Sequence, residues 1–285
     1  MSPTWYAADQ PILPTVTGLG WVRVALRAVP LVLVIASGLL LLLALRLIER
    51  PLCGLRRPVT PLITQAVCRA ALFILGLRFT VLGTPLRGPG AIVANHSSWL
   101  DIFALNARMK VLFVAKSEVA GWAGIGWLAR ATGTVFIRRD RAEVSSQIAT
   151  FRAILTAGHR LVFFPEGTST DGLRVLPFKP ALFATFVDPD LAPGMRVQPV
   201  SVSYRAPLGT DPRFFGWWGA MDFAPHLLAV LGRTGGGGVT VIYHPPLAVA
   251  DFQDRKTLAL ACETAVRAGL DDRLNSLPPV APSAL

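Results

Sequence analysis

The chain has 285 residues, of which 52% are apolar and only 16% charged, with a mean hydropathy of +0.50. That is too apolar for an ordinary soluble domain, and the apolar runs are too interrupted for a multi-pass transporter, so one catalytic-sized domain with a membrane attachment fits best. The net charge of +11 calls for nucleic acid, anionic lipid or a phosphate-bearing substrate. No zinc-finger spacing, basic zipper or aromatic RNA-binding motif is present, which argues against nucleic acid, and anionic lipid is the stronger reading because the basic residues accompany an apolar segment.

In chain order, residues 28–45 carry no charge. As a helix they reach about 27 Å, just short of a hydrocarbon core. Arg23 and Arg27 flank one end of this run, and Arg46 and Arg50 flank the other. A cleavable signal is the competing reading. The basic region comes late, however, no small-residue cleavage site follows promptly, and Arg46 to Arg57 stays strongly basic. A retained anchor over residues 1–57, spanning about 28–45, is therefore expected. Arg46, Arg50, Arg56 and Arg57 outnumber the basic residues before the span, which puts the following domain on the cytoplasmic side. Residues 61–77 are apolar but contain Arg69. They read equally as an amphipathic helix lying in the membrane interface or as a core helix of the domain. Cys53, Cys68 and Cys262 are odd in number and share no motif spacing, so neither a disulfide framework nor a metal site is expected.

From residue 79 onward short apolar runs alternate with helical patterns, which predicts an α/β domain over 58–270 with a mixed sheet of about seven strands flanked by helices. The strands are expected at 79–82, 91–94, 111–114, 134–137, 160–164, 197–204 and 239–243. A helix beginning near Glu143 shows Val144, Ile148, Phe151 and Leu155 at helical spacing. Asp140 and Glu143 can cap its start, and Gly158 suits its end. Gly235 to Gly238 read as a flexible loop, and residues 271–285, with three prolines, as an irregular tail.

Two segments carry candidate chemistry. His96 follows the strand 91–94, and Asp101 falls five residues later at the start of a helix, so the carboxylate can fold back onto one imidazole nitrogen and leave the other facing outward as a base. This is the His–Asp half of a triad without its serine, and the missing nucleophile would be a substrate hydroxyl. Ser98-x-x-Asp101 is also a capping-box pattern, in which case Asp101 only stabilises the helix start. The second segment, Phe164-Pro165-Glu166-Gly167-Thr168, follows an apolar strand, and its N–H groups and the Thr168 hydroxyl could hold a headgroup or an acyl carbonyl. A plain turn with Glu166 solvated is the alternative. Arg138 and Arg139 end the strand 134–137 and suit bidentate phosphate contact, or stand as a solvated pair. Lys116, at the end of the strand 111–114, could meet phosphate or a developing oxyanion, or pair with Glu118. His159, His226 and His244 have no partner pattern and read as structural. Trp99, Trp122 and Trp127 are either core or headgroup-level anchors.

With these residues in order, the chain resembles the glycerolipid acyltransferase family. Asn95-His96 to Asp101 matches its His-x4-Asp block, Gly133 to Arg139 its Gly-x-x-Phe-Ile-x-Arg block, and Phe164 to Thr168 its Phe-Pro-Glu-Gly-Thr block. Val197-Gln198-Pro199-Val200 resembles the fourth block, a strand ending in Pro-Val. The resemblance implies a membrane-bound enzyme that moves an acyl group from acyl-CoA or acyl carrier protein to a lysolipid hydroxyl, with no metal, no cofactor and no acyl-enzyme. It further implies His96 as base, Asp101 as its orienter, Arg139 on acceptor phosphate, Glu166, Gly167 and Thr168 shaping the acceptor site, and Lys116 as phosphate or oxyanion ligand. A bacterial inner membrane, with the catalytic domain on its cytoplasmic face, is the implied location. The members that form phosphatidic acid usually carry Arg directly after Glu-Gly-Thr, where this chain has Ser169. The stretches Phe164 to Lys179 and Phe215 to Phe223 look like the branch that acylates lyso-ornithine lipid. A non-catalytic membrane lipid-binding or scaffold protein is the alternative function.

Overall fold

The computed structural model describes residues 5–6, 9–122, 124–137, 144–188, 191–192 and 194–276. Helix α1 (Leu19–Cys53) is followed by α2 (Thr60–Ile74), then by strands β1 (Leu77–Gly83) and β2 (Gly90–Ala94). Next come α3 (Asp101–Arg108), β3 (Leu112–Lys116), α4 (Ile125–Thr132), β4 (Val135–Ile137), α5 (Val144–Thr156) and β5 (Arg160–Phe163). The chain continues through β6 (Arg196–Arg205), α6 (Phe223–Gly232), β7 (Gly237–Tyr243), β8 (Leu247–Ala248) and α7 (Arg255–Asn275).

The strands form one mixed sheet in the order β1-β7-β6-β2-β5-β3-β4, with β8 paired to β6 beside the end of β7. β6, β2, β5, β3 and β4 run parallel to one another, so their C-terminal ends share one edge. β7 is antiparallel to β6 and parallel to β1. The period-2 alternation of side chains divides each strand between two cores. Ile92, Ala94, Val162, Val200 and Val202 pack with α2, α3 and α6 on one face. Ala91, Val93, Leu161, Phe163 and Val197 pack with α5 and α7 on the other. The seven expected strands are all present, with ends shifted by up to two residues. β8 adds an eighth, and the Gly235–Gly238 expectation is corrected: Gly237 and Gly238 are the first rungs of β7, paired with Leu77 and Arg78. The expected irregular tail from 271 begins later, because α7 stays helical to Asn275; residues 277–285 lie outside the described residues.

α1 is longer than the charge-free run. Thirty-five residues give it a length of about 52 Å, and it is apolar and long enough to cross a membrane by length and composition. All four flanking arginines lie inside the helix. Arg23 donates to Gly232 O at 2.8 Å and Arg27 to Leu231 O at 2.7 Å, so two guanidiniums satisfy carbonyls at the C-terminal end of α6. Arg46 pairs with Glu49 at 3.1 Å. The Glu49 carboxylate in turn accepts from the Val59 and Thr60 N–H groups and the Thr60 hydroxyl, tying the start of α2 to the end of α1. Beyond that turn, Arg57 donates to Ala131 O at 3.2 Å and the Leu55 carbonyl meets His159 Nε2 at 2.9 Å. Both ends of α1 are thus fastened to the same α/β domain. α2 buries Cys68, Ala71 and Leu72 and leaves Phe73 85% exposed, a core helix on one face and an apolar surface on the other.

Candidate active site

The site lies at the common C-terminal edge of the parallel strands. There the chain leaves each strand into a loop, and backbone groups become free to meet a ligand. Asn95 fixes the end of β2: its amide donates to Val202 O and accepts from Val202 N on the neighbouring β6, at 2.9 and 2.7 Å. His96 follows immediately. Its Nδ1 lies 2.7 Å from Asp101 Oδ2. A carboxylate only accepts here, so Nδ1 carries the proton and Nε2 presents its lone pair. Nε2 has no hydrogen-bond partner among the described residues, and the His96 side chain is 24% exposed while that of Asp101 is fully buried.

Asp101 is held on every side. Oδ2 also accepts from the Ser97 and Ser98 N–H groups at 2.8 and 3.1 Å, and Oδ1 accepts from the Tyr204 hydroxyl at 2.8 Å. Burial and the adjacent Asp101 charge push the Tyr204 phenol well above its ordinary value, which keeps it a donor. Only half of the capping box is present: Asp101 accepts from Ser98 N, while Ser98 Oγ has no hydrogen-bond partner, and Asp101 is the first residue of α3, where its carboxylate also gathers the preceding turn. Phe164 stacks on the imidazole, with ring centroids 4.1 Å apart and 12° between planes.

The Pro-Glu-Gly-Thr segment wraps the main chain of His96. Glu166 is buried, and its two oxygens accept from His96 N at 2.7 Å and Leu176 N at 2.8 Å. Its carboxyl is pushed up to about 8, chiefly by burial, against the pull of those two N–H bonds. Glu166 is therefore neither solvated nor aimed at a ligand; it sets the height of His96. Gly167 takes a left-handed φ of 73°, closing a turn with Gly167 N on Phe164 O at 3.0 Å. The Thr168 hydroxyl accepts from Trp5 N at 3.4 Å. Thr170 donates from N to His96 O at 2.9 Å, and Trp217 N donates to Ser97 O at 2.8 Å, so a second loop closes on the next peptide of the same turn. Lys116 ends β3 at the same sheet edge. Arg139, expected to follow β4, lies outside the described residues, as do Arg138, Asp140 and Glu143.

The other three histidines are structural. His226 is buried, accepts from Trp99 Nε1 at 2.9 Å, and is pushed down to about 4, chiefly by burial. His244 Nε2 meets Ser201 Oγ at 2.8 Å, and His159 holds the Leu55 carbonyl. Among the described residues no group of His, Cys, Asp and Glu could hold a metal ion. Sequence reasoning missed Tyr204, Thr170 and Trp217. Thr170 and Trp217 fall in the two branch-like stretches of the sequence without a role being read for them, and Tyr204 shares strand parity with the apolar Val200 and Val202.

Comparison with known proteins decides the family. A model of the acyltransferase family matches residues 78–203. The chain is 55% identical to the lyso-ornithine lipid O-acyltransferase of Rhodobacter capsulatus, over 95% of this chain and 98% of that protein. The chain belongs to the acyltransferase family. A second member, the lyso-ornithine lipid O-acyltransferase of Brucella abortus, is 39% identical over 70% of this chain and 79% of its own length. The 1-acyl-sn-glycerol-3-phosphate acyltransferase of Neisseria gonorrhoeae is 39% identical over 40% of this chain and 43% of its own length. The crystal structure of the 1-acyl-sn-glycerophosphate acyltransferase of Thermotoga maritima shares the fold, with a TM-score of 0.57 and 22% identity over 89% of this chain and 99% of that one. The chain is an enzyme of acyl transfer, and the His96–Asp101 pair sits inside the stretch that the family model matches.

Proposed function

We propose that the protein is a membrane-bound lysolipid O-acyltransferase that acts on lyso-ornithine lipid, with 1-acyl-sn-glycerol-3-phosphate as the competing acceptor. The observation that carries the chemistry is the outward-facing Nε2 of His96, backed by a fully buried Asp101. Nε2 takes the proton of the acceptor hydroxyl as its oxygen attacks the thioester carbonyl of acyl-CoA or acyl carrier protein. Asp101 stabilises the imidazolium that forms. The carbon–sulfur bond then breaks, and the departing thiolate takes the proton back from His96, leaving an ester and a free thiol. A positioned base contributes roughly 10² to 10⁴ in rate, and holding two lipids in one geometry contributes more. No metal or cofactor is assigned a role. Lys116 supplies a cation at the same strand edge for phosphate or oxyanion, and Arg139 keeps the acceptor-phosphate role that the resemblance implies. The 55% identity to a lyso-ornithine lipid O-acyltransferase over nearly the whole chain favours the amino-acid lipid as acceptor.

The membrane attachment is read from α1. Its most apolar window is only 11% buried, and Leu26, Val32, Leu33, Leu40, Leu47 and Leu52 are each more than half exposed. Because both ends of the helix bond to one domain, we read α1 as lying along one leaflet, on the cytoplasmic side, rather than carrying the chain across.

The test is acyl transfer by membranes that contain either the wild type or His96→Ala, with lyso-ornithine lipid and lysophosphatidic acid offered separately. Product with lyso-ornithine lipid from the wild type, reduced by roughly a thousandfold or more in the variant, is the expected result. Equal turnover by both proteins would remove His96 from the mechanism. A preference for lysophosphatidic acid would reassign the acceptor.

A further inference from the structure

The loop that wraps His96 also presents one guanidinium in a fixed pose. The Thr170 hydroxyl lies 3.3 Å from His96 O and 3.4 Å from the Arg174 main-chain carbonyl, so one hydroxyl joins the main chain of the base to the main chain that carries this guanidinium. Its Nε sits 3.2 and 3.1 Å from the two oxygens of Asp171, and its Nη2 lies 2.9 Å from Oδ2. Asp171 is buried, and it also accepts from Leu173 N at 3.1 Å. The indole of Trp5 covers the guanidinium face, with Cζ 5.2 Å from the ring centroid. Trp5 is itself held by its N–H on Thr168 Oγ1 and by Trp218, whose ring centroid is 6.1 Å away. One edge and one face of Arg174 are thus occupied. The remaining nitrogen, Nη1, makes no hydrogen bond among the described residues, and the side chain is 49% exposed.

A guanidinium immobilised in this way has already lost its rotamer freedom, and its open edge matches a planar oxyanion. The charge around it selects which oxyanion. Asp171 neutralises Arg174, and the adjacent Arg213 is paired with Asp211 at 2.7 Å. These two pairs, Arg174–Asp171 and Arg213–Asp211, sum to zero formal charge, a setting that suits a carboxylate within a zwitterion better than a phosphomonoester dianion.

We propose that Arg174, stacked on Trp5, is the carboxylate-binding corner of the acceptor site and selects an amino-acid headgroup over a phosphomonoester. This rests on the lysolipid acyltransferase reading above. The alternative is a loop-closing ion pair that happens to lie beside an indole.

Three proteins decide between them: wild type, Arg174→Lys, which keeps a cation for Asp171, and Trp5→Leu, which leaves the ion pair untouched. Each is assayed at fixed donor with lyso-ornithine lipid and with its carboxyl methyl ester, and its melting temperature is recorded. In the wild type the ester should raise acceptor KM by about ten- to a hundredfold, the range for one charge-assisted hydrogen bond. Arg174→Lys should raise KM for the acid by a similar factor and add little for the ester, and Trp5→Leu should shift the acid several-fold in the same direction. Donor KM and melting temperature should stay at wild-type values in both variants. Equal KM for acid and ester in the wild type would overturn the assignment, as would variant and ester penalties that simply multiply. If Arg174→Lys does not fold, Trp5→Leu and the wild-type ester comparison decide alone. No wild-type turnover of the amino-acid lipid would remove the acceptor reading together with this one, whereas turnover without ester discrimination removes only this one.

Discussion

Glu166 and Asp101 are two buried carboxylates used in opposite ways. Asp101 faces the imidazole and a phenol, and in the proposed mechanism it steadies the base. Glu166 faces two peptide N–H groups and serves by holding His96 in place. Gln at 166 would turn its amide nitrogen toward one of those N–H donors and leave it unsatisfied. The position of Glu166 also has a pH signature. Its folded carboxyl titrates near 8 against an ordinary value of 4.5, so between these limits the folded state binds a proton that the unfolded chain releases. The associated stability is complete below about 4.5 and is lost as pH rises through about 8. Melting temperature should therefore fall over this window in the wild type, and the fall should be shallower in Glu166→Gln. Parallel curves for the two proteins would show that Glu166 stays ionised throughout.

At the scale of elements, close approaches decide where helices sit. α7 crosses β6 at Gly269, where an added Cβ would lie 2.6 Å from both Ser201 Oγ and His244 Cε1. Gly269→Ala should cost about 1 to 3 kcal/mol, visible as a lower melting temperature in a folded protein whose acceptor KM is unchanged. Elements of this kind were legible in the sequence wherever the signal was local. β2, β5 and β6 are apolar runs between turns, and the His96–Asp101 pair is five residues apart. What was not legible depends on distant partners. β8 has two residues, too few for any period, and exists because Arg196 and Val197 offer it a ladder. The charge-free window understated α1 because its arginines are satisfied by carbonyls and a carboxylate that no local pattern announces. Tyr204 reaches Asp101 across 103 residues. The Gly237–Gly238 pair reads as a loop on composition, yet it is drawn into the sheet by β1.

At the scale of the molecule, an apolar helix of about 52 Å is bonded to one domain at both ends. With Cys53 replaced by serine, single cysteines at Leu19 and Leu55 should react with a membrane-impermeant maleimide from the same side of sealed vesicles. Labelling from opposite sides would establish a crossing helix. The same fastening has a consequence for the order of events in synthesis. Arg23 and Arg27 leave the ribosome early, but their carbonyl partners lie 209 and 204 residues further on. For most of translation these guanidiniums belong to an apolar helix with no domain to receive them, and on the membrane-bound reading proposed above the headgroup layer keeps them solvated. On that proposed reading, attachment to the bilayer precedes the structure it positions, and docking of the α6 end onto α1 is a late step completed on the membrane.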